Sequence, residues 1–109
     1  METIDSPERL QELIDSEEGL LLYFSNDACN VCKVLKPKVK ELLEEQFPKM
    51  QMGYVDTEQS PLLSGQHRIF TIPTILLFFM GKEQQRFSRN ISLYQLEEAI
   101  AKPYGMIFE

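Results

Sequence analysis

Two short, uninterrupted apolar runs, Leu20–Phe24 and Ile75–Met80, constrain the fold more than any other feature of the sequence. Runs of this kind are typical of strands that are covered on both faces of a sheet. Helical patterns separate the two runs, and this alternation predicts the α/β class, with a central sheet flanked by helices. Because the chain has 109 residues, we expect one domain that spans residues 1–109.

Capping residues, turns and apolar periodicity predict the other elements. They are a helix from Ser6-Pro7, a helix from Cys29 to Phe47 with Pro37 inside it, a strand at Met50–Val55, a short helix capped by Ser60, an edge strand at Glu83–Ser88 and a helix from Ser92 to about Ala101. In the long helix Val31, Val34 and Leu35 belong to the apolar stripe. We expect the last helix to end before Pro103, and the apolar tail 103–109 to pack on its own domain.

The chain contains two cysteines, and they stand three positions apart, at Cys29 and Cys32. Residues i and i+3 share one face of a helix, near the separation that a disulfide requires. Cys29 stands where the long helix begins, so free backbone N–H groups and the helix dipole favour its thiolate. We therefore predict that Cys29 is the attacking thiol and that Cys32, one turn deeper, is the resolving thiol.

Two other interpretations of the cysteine pair stay open. A structural zinc ion needs four ligands, and Cys29, Cys32 and His67 are the only soft donors in the sequence, so we expect no metal and no cofactor. An inert pair in a fold that serves only as a binding scaffold is the second interpretation. Near the pair, Lys33, Lys36, Lys38 and Lys40 form either a solvated face or an electropositive collar that favours a thiolate.

Charge and targeting signals limit the partners. A net charge of −6 without a basic stripe argues against nucleic acid. The first twenty residues contain no basic n-region and no apolar h-region, and the apolar runs are too short to span a bilayer. We expect a cytoplasmic monomer with no membrane contact. In such a reducing compartment a close cysteine pair is more often catalytic or redox-sensing than structural.

Three groups of residues together resemble the thioredoxin family: Cys29-x-x-Cys32-Lys33, Pro37 five positions later, and Thr71-Ile72-Pro73-Thr74-Ile75 before a buried strand. The resemblance covers most of the chain and implies a thioredoxin fold with a central mixed sheet. It also implies a cis peptide at Ile72–Pro73, beside the cysteines, and a substrate peptide that pairs with the Ile72 backbone. We predict Cys29, Cys32 and Pro73 as catalytic residues. Substrate binding is assigned to Asn30, Val31, Ile72 and Arg89.

The chain departs from the family pattern at several positions. The family's Trp, Gly-Pro pair, buried Asp, partner Lys and groove Gly are replaced by Ala28, Asn30-Val31, Tyr23, Met52 and Arg89. Loss of both members of the Asp–Lys pair is physically consistent, because a buried charge left alone is costly. Without that acid, Cys32 has no charged proton acceptor beside it, and we expect its attack to be slow at neutral pH.

The favoured function is a thiol–disulfide oxidoreductase that reduces protein disulfides through Cys29 and Cys32, with a reductase protein as a possible electron donor. A redox-linked binding module for one dedicated partner is the first alternative. A non-catalytic scaffold with the thioredoxin fold is the second. The glycine pair that glutaredoxins use for glutathione is absent, which disfavours a glutathione-dependent enzyme.

Overall fold

The computed structural model describes residues 1–109. In chain order the elements are β1 (Glu2–Thr3), α1 (Pro7–Ser16), β2 (Gly19–Ser25), α2 (Asn30–Gln46), β3 (Gln51–Asp56), α3 (Pro61–Gln66), β4 (Thr74–Phe79), β5 (Lys82–Ser88) and α4 (Leu93–Phe108). The five strands form one sheet in the order β1-β3-β2-β4-β5. Strand β3 is parallel to both β1 and β2, while β4 is antiparallel to both β2 and β5. The mixed central sheet confirms the predicted α/β class.

The central strands β2 and β4 are buried on both faces, and successive side chains of each strand point to opposite faces. Leu21 and Tyr23 of β2 belong to the core that includes side chains of α2 and α4. Leu20, Leu22 and Phe24 belong to the core on the other face, which includes side chains of α1 and α3. This double coverage is the physical reason for the uninterrupted apolar runs in the sequence.

Local capping largely agrees with the sequence. The hydroxyl of Ser6 accepts a hydrogen bond from the N–H of Arg9 at 3.1 Å. The hydroxyl of Ser92 accepts one from the N–H of Gln95 at 3.2 Å. The prediction for Ser60 was wrong in one respect: α3 begins after it, but its side chain makes no capping hydrogen bond. The side chain of Ser60 therefore does not satisfy the free N–H groups of that helix.

The end of the chain differs from the sequence prediction. Helix α4 does not end near Ala101 but continues through Pro103 to Phe108. Pro103 can supply no N–H, yet the turns beyond it are stabilised by burial. Tyr104 is only 5% exposed, and its ring lies 5.1 Å from that of Phe47 and 4.8 Å from that of Phe108. The tail does pack on its own domain, as predicted, but as helix.

Two further differences concern β1 and α2. Strand β1 was not predicted, because two residues carry no readable periodicity. Val31 and Val34 keep helical spacing, but 64% and 60% of their surfaces are exposed, so they lie outside the buried stripe. These valines are on the surface near the cysteines.

Two connections have special backbone conformations, one before β4 and one between β4 and β5. The Ile72–Pro73 peptide bond is cis, as the resemblance implies. Met80 and Gly81 both have positive φ, of 54° and 81°, and form the tight turn between β4 and β5. None of the helices is both long and apolar enough to cross a membrane.

Candidate functional site

The two cysteines lie at the junction of β2 and α2. They form a disulfide, with their Cα atoms 5.2 Å apart. The loop that leads to them is shaped by Asn26, whose side-chain oxygen accepts the N–H of Ala28 at 2.9 Å and whose carbonyl accepts the N–H of Cys29 at 3.3 Å. Cys29 then takes the N-cap position of α2, with extended backbone angles. The sequence prediction of a cysteine at the helix start is confirmed.

The two sulfur-bearing residues differ in exposure. Cys32 is only 1% exposed and belongs to the core, whereas Cys29 is half-buried at its edge. The Sγ of Cys29 accepts a hydrogen bond from the backbone N–H of Cys32 at 3.2 Å. A free N–H at a helix start, pointing at sulfur, stabilises negative charge on that sulfur. The geometry thus favours the Cys29 sulfur as thiolate and makes it the accessible one.

Tyr23, in the place of the family's buried Asp, supports the start of α2. It is fully buried, and its hydroxyl donates a hydrogen bond to the backbone carbonyl of Cys32 at 2.9 Å. Burial raises the pKa of Tyr23 to about 12. The phenol is therefore neutral at physiological pH and acts as a hydrogen-bond donor that anchors the helix turn carrying Cys32. The sequence identified the substitution but not this contact.

A second tyrosine, Tyr54 of β3, lies beside Tyr23 in the sheet. In the parallel register Tyr23 lies opposite Tyr54 of β3, while Met52 lies opposite Leu21, two residues earlier on the same face. The ring centroids of Tyr23 and Tyr54 are 6.4 Å apart. Met52 belongs to the same core as Tyr23, but the residue directly beside Tyr23 on β3 is Tyr54 rather than Met52.

Lys36 places a positive charge on the inner side of α2. Its Nζ lies 3.6 Å from the centroid of the Tyr54 ring, a cation–π geometry. The Tyr54 hydroxyl accepts a hydrogen bond from Ser25 at 3.4 Å, and burial raises the pKa of Tyr54. The lysine cluster is thus divided: Lys36 is half-buried against the sheet, whereas Lys33, Lys38 and Lys40 are exposed.

The segment around the cis proline offers unpaired backbone. Pro73 accepts the N–H of Arg89 at 3.0 Å, and Thr71 accepts the hydroxyl of Thr74 at 2.7 Å. The N–H and carbonyl of Ile72 make no backbone hydrogen bond within the chain. Ile72 and Cys29 both pack at the edge of the same core. Free peptide groups next to a reactive pair can bind an extended segment of another chain.

A groove of about 740 Å³ lies beside the cysteine pair. One wall comes from the start of α2, with Asn30, Val31 and Val34, and the other from the connection between β5 and α4, with Arg89 and Ile91. The structure therefore brings together three of the residues that the sequence assigns to substrate binding, Asn30, Val31 and Arg89. Ile72 does not line this groove. Val31 and Val34 are exposed because they form the apolar part of the groove wall.

Metal binding finds no support in the side-chain arrangement. No group of three or more His, Cys, Asp or Glu side chains is placed to hold a metal ion. His67 lies between the rings of Phe24 and Phe78, with ring centroids 6.3 Å from each. Those two residues belong to the core on the sheet face opposite to Cys32. Burial lowers the pKa of His67, and its position makes it a packing residue.

The sheet order, the cysteine pair at the start of α2 and the cis proline before β4 are the features of a thiol–disulfide oxidoreductase. The model of the family described as Thioredoxin matches residues 3–102 of the chain. The chain belongs to the thioredoxin family, and the resemblance seen in the sequence is confirmed.

Individual relatives support this assignment and show the divergence. The thioredoxin-like protein YdfQ of Bacillus subtilis is 28% identical over 97 residues, covering 89% of this chain and 86% of the relative. Thioredoxin 1 of Nostoc is 30% identical over 73 residues, covering 67% of this chain and 68% of the relative. The structure of Fasciola hepatica thioredoxin superposes with a TM-score of 0.84 at 26% identity, covering 94% and 98% of the two chains. The thioredoxin fold is therefore confirmed.

Proposed function

We propose that this chain reduces disulfides of protein substrates. The Cys29 thiolate attacks one sulfur of a substrate disulfide, which breaks that bond, expels the other substrate sulfur as a thiolate and forms a mixed disulfide. The Cys32 thiol then loses its proton and attacks Cys29. The Cys29–Cys32 disulfide forms, the second substrate thiol is released, and two electrons have passed to the substrate. A dithiol or a reductase protein returns the pair to the reduced state.

The unequal exposure of the two cysteines carries this proposal. Cys32 is 1% exposed beneath the half-buried Cys29, so a bulky substrate reaches only Cys29. The N–H of Cys32 directed at the Cys29 sulfur at 3.2 Å supports the same order of attack. An arrangement for binding alone would not require one sulfur held at the helix start and the other within reach beneath it.

The surface beside the pair suits a polypeptide substrate. The groove of about 740 Å³ has an apolar wall with exposed valines at positions 31 and 34, which a protein side chain would cover. The unpaired peptide groups of Ile72 would then hold the substrate backbone as an added strand, with Pro73 shaping the turn. Asn30, Val31 and Arg89 would contact the residues that flank the substrate disulfide.

Cysteine variants test the proposed reaction. The reduced wild type should reduce the interchain disulfides of insulin, Cys29→Ser should abolish this activity, and Cys32→Ser should accumulate a mixed disulfide that is visible by mass spectrometry. Ser16→Ala, an exposed change at the end of α1, is the control and should leave the rate unchanged, because the buried residues of α1 belong to the core on the sheet face opposite to Cys32. Equal reactivity of the two single-cysteine variants toward an alkylating probe would contradict the assigned roles.

The second candidate is a redox module for one dedicated partner, and Arg89 favours it. This bulky, charged residue with φ of 64° stands in the groove where the family has glycine. A general reductase should act on unrelated protein disulfides with kcat/KM values within about tenfold of one another, whereas a dedicated module should favour one partner by far more.

The proposed setting is the cytosol, with the chain acting as a 12.7 kDa monomer. Imaging and size-exclusion chromatography test these two points.

A further inference from the structure

A second cleft, of about 640 Å³, lies next to the first groove. Arg68, Phe70 and Thr71 from the segment before the cis proline line one side, and Arg86 and Arg89 from β5 and its end line the other. We call this the arginine cleft. Arg89 lines both the arginine cleft and the groove beside the cysteines, so a chain bound at Cys29 and Val31 can continue past Arg89 into this cleft.

The charge of this surface is opposite to that of the protein. The chain has 17 acidic and 11 basic residues, yet every charged side chain that lines the groove or the arginine cleft is basic. Arg86 is paired with Glu83 at 3.0 Å and donates to the Arg68 carbonyl at 3.1 Å. The guanidinium groups of Arg68 and Arg89 form no ion pair within the chain. Two uncompensated positive charges therefore flank the site.

Both free arginines occupy unusual backbone conformations. Arg68 has φ of 57° and Arg89 has φ of 64°, a left-handed region that glycine and asparagine adopt more readily than arginine. At Arg68 this conformation ends α3, where the N–H of Ile69 donates to the carbonyl of Ser64 at 2.9 Å, and at Arg89 it lies in the connection between β5 and α4. The backbone of Arg89 is tied to the cis-proline segment through its N–H bond to Pro73 at 3.0 Å. The backbone that carries the Arg89 side chain is therefore fixed between the groove and the arginine cleft.

We propose that the substrate is a protein segment with acidic side chains close to its disulfide, and that Arg68 and Arg89 bind these carboxylates. This inference rests on the proposed disulfide reduction and names its substrate class. Guanidinium groups bind carboxylates with two parallel hydrogen bonds. Since the rest of the surface is predominantly acidic, an acidic partner is repelled elsewhere and attracted at this edge, which orients its disulfide toward Cys29.

The exposed apolar residues favour a polypeptide over a small carboxylate such as glutathione. Phe70 in the arginine cleft is 87% exposed, and Val31 in the groove is 64% exposed. Glutathione has two carboxylates but no apolar side chain to cover these surfaces. A protein segment supplies both kinds of contact and has the length to span the groove and the cleft together.

Matched peptides test the inference, both for binding and for reduction. Three cystine peptides are identical except for Glu, Gln or Lys at the same positions flanking the disulfide. Binding is measured by fluorescence anisotropy with Ser-containing versions of the peptides and the Cys29→Ser/Cys32→Ser protein, so that it does not depend on the chemistry. Reduction is measured as kcat/KM with the wild-type cysteines. Glutathione disulfide is a separate substrate arm.

Arginine variants then assign the effect. The variants Arg68→Asn and Arg89→Asn retain a residue suited to positive φ. Each should weaken the preference for the Glu peptide by about fivefold, the upper range for an exposed ion pair. Arg89→Glu should shift the preference toward the Lys peptide, which loss of structure would not produce. The control Lys49→Asn/Lys102→Asn removes two exposed charges that line neither the groove nor the arginine cleft, and it should leave the preference unchanged.

The outcomes separate this inference from the proposed function. Equal binding and reduction of the Glu and Gln peptides by the wild type would overturn the acidic-substrate inference and leave disulfide reduction intact. A binding preference for the Glu peptide without reduction of any peptide would refute the reductase function and retain the arginine site. Reduction of glutathione disulfide with the same dependence on Arg68 and Arg89 would overturn the choice of a protein segment.

Discussion

Replacing Tyr23 by Phe removes one hydroxyl group and leaves the ring in place. That hydroxyl lies in the fully buried interior and donates to the Cys32 carbonyl at 2.9 Å. The contact between the Tyr23 and Tyr54 rings, at 6.4 Å, would remain. The variant therefore isolates the link between β2 and the turn of α2 that carries the resolving cysteine.

The expected loss of stability follows from the value of a buried hydrogen bond. An intramolecular hydrogen bond contributes about 0.5–1.5 kcal/mol net, and a buried group left without its partner costs about 1–3 kcal/mol. We expect Tyr23→Phe to lower the free energy of unfolding by about 1–2 kcal/mol at neutral pH. For a domain of this size that corresponds to a fall in Tm of about 4–8 °C.

Alkaline pH provides an independent signature of the same group. The pKa of Tyr23 rises from its ordinary 10 to about 12 in the folded chain because of burial. The folded state therefore holds the phenolic proton more tightly than the unfolded state, and this contribution to stability is complete below pH 10 and is lost as the pH rises through about 12. The stability advantage of the wild type over Tyr23→Phe should shrink across this range. Tyr54, whose pKa is also raised, contributes equally to both proteins.

Urea unfolding between about pH 7 and pH 12 measures both effects. Tyr94→Phe is the matched control, because Tyr94 is 68% exposed and lies on the surface of α4. The control should follow the wild type throughout. If Tyr23→Phe were as stable as the wild type at neutral pH and lost stability with the same alkaline dependence, the hydroxyl would not anchor Cys32 and the reasoning would be refuted.

Three further predictions concern the core of the domain. Tyr23→Asp combined with Met52→Lys should accelerate resolution of a mixed disulfide at neutral pH by supplying a proton acceptor, whereas Tyr23→Asp alone should destabilise the fold by about 3 kcal/mol or more. Stopped-flow measurement of the resolution rate between about pH 6 and pH 10 tests the role of the acceptor. A wild-type resolution rate that is already independent of pH near neutrality would contradict it. Tyr104→Ala should cost about 3–5 kcal/mol in urea unfolding, and an unchanged midpoint would mean that the tail does not support the core. Gly53→Ala would place a Cβ 2.5 Å from the Ile4 side chain, so we expect about 1–3 kcal/mol of destabilisation from overpacking; a thermal melt equal to that of the wild type would exclude the clash.

Most of the secondary structure was predictable because its causes are local. Leu20–Phe24 and Ile75–Met80 were predicted as buried strands, and the strands Gly19–Ser25 and Thr74–Phe79 contain nearly all of both runs. Ser6 and Ser92 act on N–H groups three residues away, so their roles can be read from neighbouring positions. The error at Pro103 has the opposite cause. Local propensity favours a stop, but packing of Tyr104 and Phe108 on the core extends the helix.

The sequence by itself determined the reactive pair, because the spacing of Cys29 and Cys32 and the helix start between them are properties of a few adjacent residues. Only the tertiary structure decided what surrounds the pair. The hydroxyl of Tyr23 reaches Cys32 because β2 lies beneath the start of α2, and the parallel register places Tyr54 beside it. Arg68 and Arg89 reach one cleft through the pairing of β4 with β5 and the cis-proline segment. Contacts between groups far apart in the chain depend on direction and register, and these are set only when the whole sheet and its helices pack together.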